Sequence, residues 1–276
     1  EGAVELIKSA CPEFADAIRW ADGDTAGGLP PNFQFVRVQS VAPVGAAFLR
    51  VIFEADDLSA YGDDAIHFRV VLPPTRVEEK WPKLAANGSV KWPDGNAAPH
   101  KPAYTARHVD HSAGTLHMDV FIHEGGRMTE WARGLMAGTE TRDTIGLIGP
   151  GGGGLITEAD VLIGTDETGF PPVARLIESL PSDARAEVFL EAEHGAACAY
   201  PMPQRDGVTL NWLSRTRGET AMKAVLDVLD DHKDAIIWFA GERDAAKRVR
   251  EVAKGQPRAK GSLRVSGFWT AGDVDG

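Results

Sequence analysis

The sequence predicts an antiparallel β-barrel followed by a doubly wound parallel α/β unit. Three observations predict it. Residues 33–148 hold short Val-, Ile- and Phe-rich segments that alternate inward and outward residues between turn signals. After the glycines at 151–154, apolar strands alternate with helix-period segments, the mark of a parallel sheet with crossover helices. At 276 residues, 43% hydrophobic and 25% charged, the chain is globular and long enough for two ordinary domains.

Along the chain, residues 3–21 read as one or two short helices broken at Pro12, and 22–32 as a Gly/Pro linker. Strands are expected at 33–41, 47–53 and 65–72, where Ile66, Phe68 and Val70 alternate with His67 and Arg69. Residues 73–101 form a long Pro/Trp/Gly loop. Tyr104 to Arg107 lie on a barrel strand. Residues 115–123 alternate again, and 143–148 close the barrel. The second half is expected as strand 159–164, helix 168–180 with Pro171 and Pro172 in its first turn, and strands 186–191 and 208–213. Helix 218–231, strand 235–240, helix 243–253 and strand 262–269 follow. The division is therefore 1–32 helical extension and linker, 33–150 barrel and 151–276 α/β unit. A ligand belongs in the cleft at the carboxyl ends of the parallel strands.

Composition narrows the chemistry. Lys plus Arg total 29 against 40 Asp plus Glu, a net charge of −11, so nothing global attracts nucleic acid or anionic lipid, and an anionic ligand needs a local basic patch. Two cysteines, Cys11 and Cys198, cannot build a disulfide scaffold, a four-cysteine zinc site or an iron–sulfur cluster. Electron transfer would use an organic cofactor. His108, His111, His117 and His123 lack zinc spacing, so no metal site is expected. No Gly-x-Ser-x-Gly elbow occurs. With no membrane-length apolar run and no visible leader, the expected compartment is the reducing cytoplasm.

Three segments are candidates for chemistry. Gly149 to Gly154 lacks the Lys-Ser/Thr ending of a phosphate loop and runs towards a strand; it reads as an interdomain turn or a close approach of backbone to a ligand. Gly164-Thr165-Asp166-Glu167-Thr168 ends the first parallel strand, where its amides can meet a pyrophosphate or ribose, and where Asp166 and Thr168 can equally cap a helix. In Tyr104-Thr105-Ala106-Arg107, a ring can flank a flat cofactor, a hydroxyl can bond a ring nitrogen and an arginine can hold phosphate.

In order and spacing these pieces resemble the siderophore-interacting protein family, flavin-dependent ferric-siderophore reductases related to ferredoxin reductases. His67 to Pro73 is similar to the family's His-x-Lys-Leu-x-x-Pro strand, and Pro102 to Arg107 to its Arg-x-Tyr-Thr-x-Arg flavin motif. Gly164 to Thr168 is similar to its Gly-Asp-Glu-Thr, with Thr165 extra. Trp212 to Arg215, Ala240-Gly241-Glu242 and Gly267-Phe268-Trp269 are similar to its later strands. The resemblance implies FAD, not FMN, on the barrel. Tyr104 would pack on the isoalloxazine with Thr105 near N5, both at the reacting centre. Arg107, His123 and the segment Gly126-Arg127-Met128-Thr129 to Trp131 would serve the pyrophosphate, and Asp166 and Thr168 the adenine side. It also implies NADPH or NADH on the second unit, near Ser214, Arg215, Arg217, Gly241 and Glu242.

The substrate it implies is a ferric siderophore held near Arg69, Lys101 and Trp269, with no nucleic acid, no membrane span and no named protein partner. The motif's first arginine is Pro102 here, and Thr270 stands where the family often has a basic residue. Glu191 and Glu193 suit an NADH ribose, whereas Ser214, Arg215 and Arg217 suit the 2′-phosphate of NADPH, the reductant favoured here. Rival readings are a non-catalytic siderophore- or flavin-binding protein and a general flavin or electron-transfer reductase.

Overall fold

The computed structural model describes residues 27–74, 81–140 and 145–272. The expected helices at 3–21 and most of the expected linker lie outside the described residues.

The first half is a seven-stranded antiparallel sheet. It contains β1 (Phe33–Val44), β2 (Phe48–Ala55), β3 (His67–Val71), β6 (Ala103–Thr105), β7 (His108–Asp110), β8 (Thr115–Phe121) and β9 (Ile145–Gly151), in the spatial order β6-β3-β9-β1-β2-β8-β7. The two edge strands of that order, β6 and β7, are separated in the chain by only Ala106 and Arg107. The sheet must therefore curl until its edges meet. The Ala106 amide donates to Ile66 O at 2.8 Å and the Arg107 amide to His117 O at 2.9 Å across the closure. Closure removes the unpaired edges that an open sheet would expose. Alternation sets what goes inside: Phe68 and Val70 are buried, whereas Arg69 is exposed.

The long segment after β3 is not structureless. It holds a small hairpin of β4 (Lys83–Leu84) and β5 (Val90–Lys91) and a 3₁₀ turn at Gly95–Ala97. Helix α1 (Arg127–Ala137) departs from the sequence expectation, which has no helix there. It buries Met128, Thr129, Trp131, Ala132 and Leu135, spaced as one face of a helix. Trp131 stacks on Phe53, with centroids 6.4 Å apart, inside the barrel core.

The second half is a five-stranded parallel sheet of β10 (Asp160–Thr165), β11 (Arg185–Ala192), β12 (Val208–Ser214), β13 (Ile236–Glu242) and β14 (Leu263–Trp269), in the order β12-β11-β10-β13-β14. Helices α2 (Phe170–Ser179), α3 (Ala221–Val228) and α4 (Arg243–Lys254) cover it. Pro171 and Pro172 do sit in the first turn of α2, where no amide is needed. The expected helix 218–231 ends at Val228 and starts late, because Thr220 caps it by accepting from the Lys223 amide. Strand order reverses between β10 and β13, which marks the crevice at their carboxyl ends. The antiparallel sheet ends at Gly151 and the parallel sheet begins at Asp160.

The crossover from β11 to β12 has a 3₁₀ turn, Gly195–Cys198, in place of an α-helix. It carries Tyr200 onto the barrel. There the Tyr200 hydroxyl donates to Asp119 Oδ2 at 2.7 Å, and Arg50 grips the same carboxylate through Nε (2.6 Å) and Nη2 (2.7 Å). The Asp119 side chain is 0% exposed. Phe48 of the barrel packs against Tyr200 and Phe170, with centroids at 4.7 and 5.9 Å. Arg107 makes a bidentate pair with Glu178 of α2 (2.7 and 2.6 Å), and Arg175 donates to Ala106 O at 2.6 Å. The two halves thus share one buried seam.

Candidate functional site

The site grows from the edge where the barrel closes. Residues directly opposite in an antiparallel ladder leave the same face, and the register sets His67 opposite Thr105 and opposite Gly151. The Thr105 hydroxyl lies 3.2 Å from His67 Nδ1. Phe268, from β14, meets the His67 ring edge-on at 6.0 Å. The last parallel strand is thereby brought to the barrel's closing edge. Tyr104 stands opposite Phe68, packs against the barrel core and is half-buried. Burial pushes its phenol pKa up, so it acts as a neutral ring.

Arg69 follows His67 on the same face of β3. Its Nη1 donates to Lys101 O at 2.7 Å, and the Lys101 ammonium sits 3.9 Å over the Trp92 ring. Burial, and then the Arg69 charge, lower the Lys101 pKa. Two cations and an indole are thus gathered at one rim.

A second element is the start of α1. Gly126 precedes the helix with φ 82°, and no side chain caps the first-turn amides. A Cβ at Gly126 would lie 3.0 Å from His123 Cε1, so the cradle is open only because the residue is glycine. Uncapped first-turn amides at a helix start suit a pyrophosphate, and this feature of the chain fits FAD. Arg127 donates to Pro73 O, and the Thr129 hydroxyl accepts from the His123 amide at 3.4 Å. The Met128 and Trp131 side chains point into the core, which leaves their backbone for a ligand. Arg107 is already engaged by Glu178.

At the carboxyl ends of the parallel strands, Asp166 Oδ1 accepts from the Thr168 amide (2.9 Å) and hydroxyl (2.5 Å), and Oδ2 accepts from Trp269 Nε1 at 2.7 Å. Gly241 lets β13 approach, since a Cβ there would meet Asp166 Oδ2 at 2.6 Å. Glu242 caps α4, accepting from the amides of Asp244 and Ala245. Burial raises the Asp166 pKa from 3.8 to about 6, against the hydrogen bonds from Thr168 and Trp269, which favour the carboxylate. The folded protein keeps this proton after the unfolded chain has lost it. This group therefore makes stability fall as pH rises from 3.8 to about 6. Asp166→Asn should flatten that part of the stability curve, as read by urea unfolding on either side of the window.

The basic patch after β12 is heavily paired. Arg215 reaches Glu167 at 2.6 Å and Glu191 at 2.9 Å, while Arg217 holds Glu219 at 2.8 Å. Burial works against the Arg215 charge, but the bonds to Glu167 and Glu191 outweigh it and raise its pKa. The Ser214 hydroxyl donates to Glu193 O at 3.1 Å. Glu167, Trp92 and His67 join the site without having been singled out as site residues from the sequence. For His67 the signal was present: it shares the outward face of Arg69 on a strand that has to pair with the Tyr-Thr strand.

Among the described residues, no helix is long and apolar enough to cross a membrane. Two family models match the chain: the siderophore-interacting FAD-binding domain over residues 37–154 and the siderophore-interacting protein model over 158–272. The chain is 26% identical over 247 residues to the NADPH-dependent ferric-chelate reductase of Escherichia coli, covering 87% of this chain and 94% of that one. It is 25% identical over 254 residues to the ferric vibriobactin reductase ViuB of Vibrio cholerae, covering 88% and 90%. A siderophore utilization protein from T. fusca superposes with a TM-score of 0.69 at 25% identity, covering 90% and 97%. The ferredoxin-NADP+ reductase of Plasmodium falciparum shares the fold alone, with a TM-score of 0.58 at 10% identity over 84% and 95%. With the barrel and the α/β half each matched along nearly all their length, the chain belongs to the siderophore-interacting protein family.

Proposed function

We propose that this protein is an FAD-dependent ferric-siderophore reductase that takes electrons from NADPH, and that it works in the cytoplasm. The observation that carries the reading is the meeting of the Thr105–His67 edge with Phe268, which brings the closing edge of the barrel against the carboxyl ends of the parallel strands. The functional units are 33–150 for FAD and 151–276 for the nucleotide. When bound, FAD accepts a hydride and gives up electrons one at a time, the conversion a two-electron donor and a one-electron metal require.

The chain's own residues bind and orient. The amides from Gly126 to Thr129 hold the pyrophosphate, with His123 and Arg127 beside them. Tyr104 supplies a ring at the strand end, and Thr105 supplies a hydroxyl for the reacting edge. Asp166, Thr168, Gly241 and Glu242 shape the floor between the halves. For the 2′-phosphate of NADPH, Arg217 is the more available arginine. Its pair with Glu219 is exposed on both sides, and exchanging such a carboxylate for phosphate costs little. Arg215 is anchored on nearly buried Glu167 and serves more to hold the β12 end. Arg69 and Lys101 face the anionic chelate, whose iron is substrate: reduction to iron(II) weakens its hold on hard oxygen ligands. Trp269 lies at the same crevice.

The test is anaerobic. The FAD-loaded protein is reduced with NADPH or NADH and then mixed with ferric chelates of different charge, with iron(II) trapped by a colorimetric ligand. NADPH should reduce faster, and Arg69→Glu should raise the KM for anionic chelates about tenfold while sparing a neutral one, the loss of roughly one screened charge contact. A wild-type protein that yields no iron(II) would overturn the reading.

A further inference from the structure

We infer that His67 receives, through the Thr105 hydroxyl it positions, the proton set free each time two electrons pass to iron(III). The inference rests on the reductase reading above. Its chemical basis is balance. NADPH gives up a hydride, which is one proton and two electrons. Two iron(III) centres take one electron each, and neither takes the proton. The sum is NADPH + 2 Fe(III) → NADP⁺ + 2 Fe(II) + H⁺. A hydrogen that enters as hydride must leave as a proton, so the site needs a base within reach.

Thr105 is the hydroxyl placed at the reacting edge, and a threonine can pass a proton on but cannot keep it. Its partner is His67 Nδ1, 3.2 Å away. The imidazole is held on three sides. Ladder register fixes it opposite Thr105 and Gly151. Phe268 closes one edge at 6.0 Å. The backbone of Gly152 closes another, where a Cβ would lie 2.8 Å from His67 Cδ2. A ring so confined presents the same nitrogen to Thr105 on every turnover.

Burial first, and then the groups that face it, keep it neutral. Arg175 of α2 faces it, itself tied to Ala106 O, Gly62 O and the Asp63 carboxylate. Arg69 follows on its own strand, turned to Lys101 O. From β6, Tyr104 contributes a neutral phenol and a backbone hydrogen bond. The facing residues of the glycine run and of β14, Gly151, Gly152 and Phe268, carry no charge. Burial first, and then Arg175, press the His67 pKa below the ordinary 6.5, partly offset by the bond to Tyr104. Near neutral pH the imidazole is therefore unprotonated and ready to accept.

The test uses FAD-loaded protein reduced anaerobically and mixed in a stopped-flow instrument with ferric nitrilotriacetate across a pH series. Wild-type flavin reoxidation should slow as pH falls through a value under 6.5 and should slow in heavy water. His67→Gln should lose that acid limb and reoxidise about 10²-fold more slowly, the low end of a general-base contribution. Thr105→Val should behave like His67→Gln, and Thr105→Ser should restore the wild-type profile. A readout without turnover is ¹⁵N-imidazole NMR of the oxidised, FAD-loaded protein: Thr105→Val should move the His67 titration, and Thr105→Ser should not. An unchanged pH profile in His67→Gln, or a His67 titration indifferent to Thr105→Val, overturns the inference. Wild-type protein that passes no electrons to any ferric chelate overturns the reductase reading, and this inference with it.

Discussion

Asp119→Ala is expected to destabilise the protein by about 3 kcal/mol, the lower end of what removing one partner of a buried ion pair costs. The carboxylate has no exposure of its own and serves three bonds, two from Arg50 and one from Tyr200. The lower end applies because the Arg50 side chain is 27% exposed and water can rescue part of its charge. Tyr200 has no such recourse: its hydroxyl would be left buried without its acceptor. For a chain of this size the loss corresponds to a Tm lower by roughly 10 °C. Tyr200→Phe, which removes one bond and keeps the ring among Phe48 and Phe170, should cost only about 1 kcal/mol. Urea and thermal unfolding of the two variants side by side would check the ranking, and equal losses would mean that the Tyr200 bond alone, not the Arg50 pair, carries the carboxylate's contribution.

Gly126→Val should weaken FAD binding at least about 10²-fold with the helix intact. At φ 82° a β-branched residue is strained, and its Cβ would press on His123. Relief means turning the first amides of α1 away from the anion, and each hydrogen bond to a charged group is worth roughly 1.5–3 kcal/mol. About 1.4 kcal/mol is tenfold in affinity, so one strained residue and one lost bond reach the expected loss. The buried face of α1, with Met128, Trp131 and Leu135, lies away from the change, so far-UV dichroism should not move. Flavin fluorescence titration of the apo-protein supplies the affinity.

The architecture was legible because each half declares its period: alternation in His67 to Val71, and strand–helix alternation after Gly154. Helix α1 was missed although Met128, Trp131, Ala132 and Leu135 already stand at helical spacing; Gly125 and Gly126 before it and Gly134 inside it weaken that signal. The Tyr-Thr pair and the carboxyl ends of the strands stand out in the sequence as candidates. The company those residues keep was not. Nothing local announces that Arg107 meets Glu178, 71 positions away, or that Arg215 meets Glu167 across 48. Such pairs exist only once two strands from distant parts of the chain are laid side by side, and composition cannot express that. Residues 149–154, read as an interdomain turn or a close approach of backbone to a ligand, carry the end of β9 to Gly151 and at two positions approach the protein's own residues instead. Gly152 packs on His67, and Gly154 packs on the carbonyls of Asp63 and Asp64.

The seam between the halves also bears on how the chain reaches its native state. Its bonds join residues 69 and 81 positions apart at Asp119 and as many as 113 apart at Arg175. Contacts of such sequence separation carry a large loop-closure entropy, and the barrel meets the same cost within itself, where β1 pairs with β9 from Phe33 to Ile148. Each half can collapse on its own ladder first, leaving Phe48, Phe170 and Tyr200 uncovered until docking. The crevice between Thr105 and Phe268 exists only once the two halves have docked. Any chain whose halves have folded but not docked exposes an aromatic patch and has no working crevice, and self-association of that form competes with maturation.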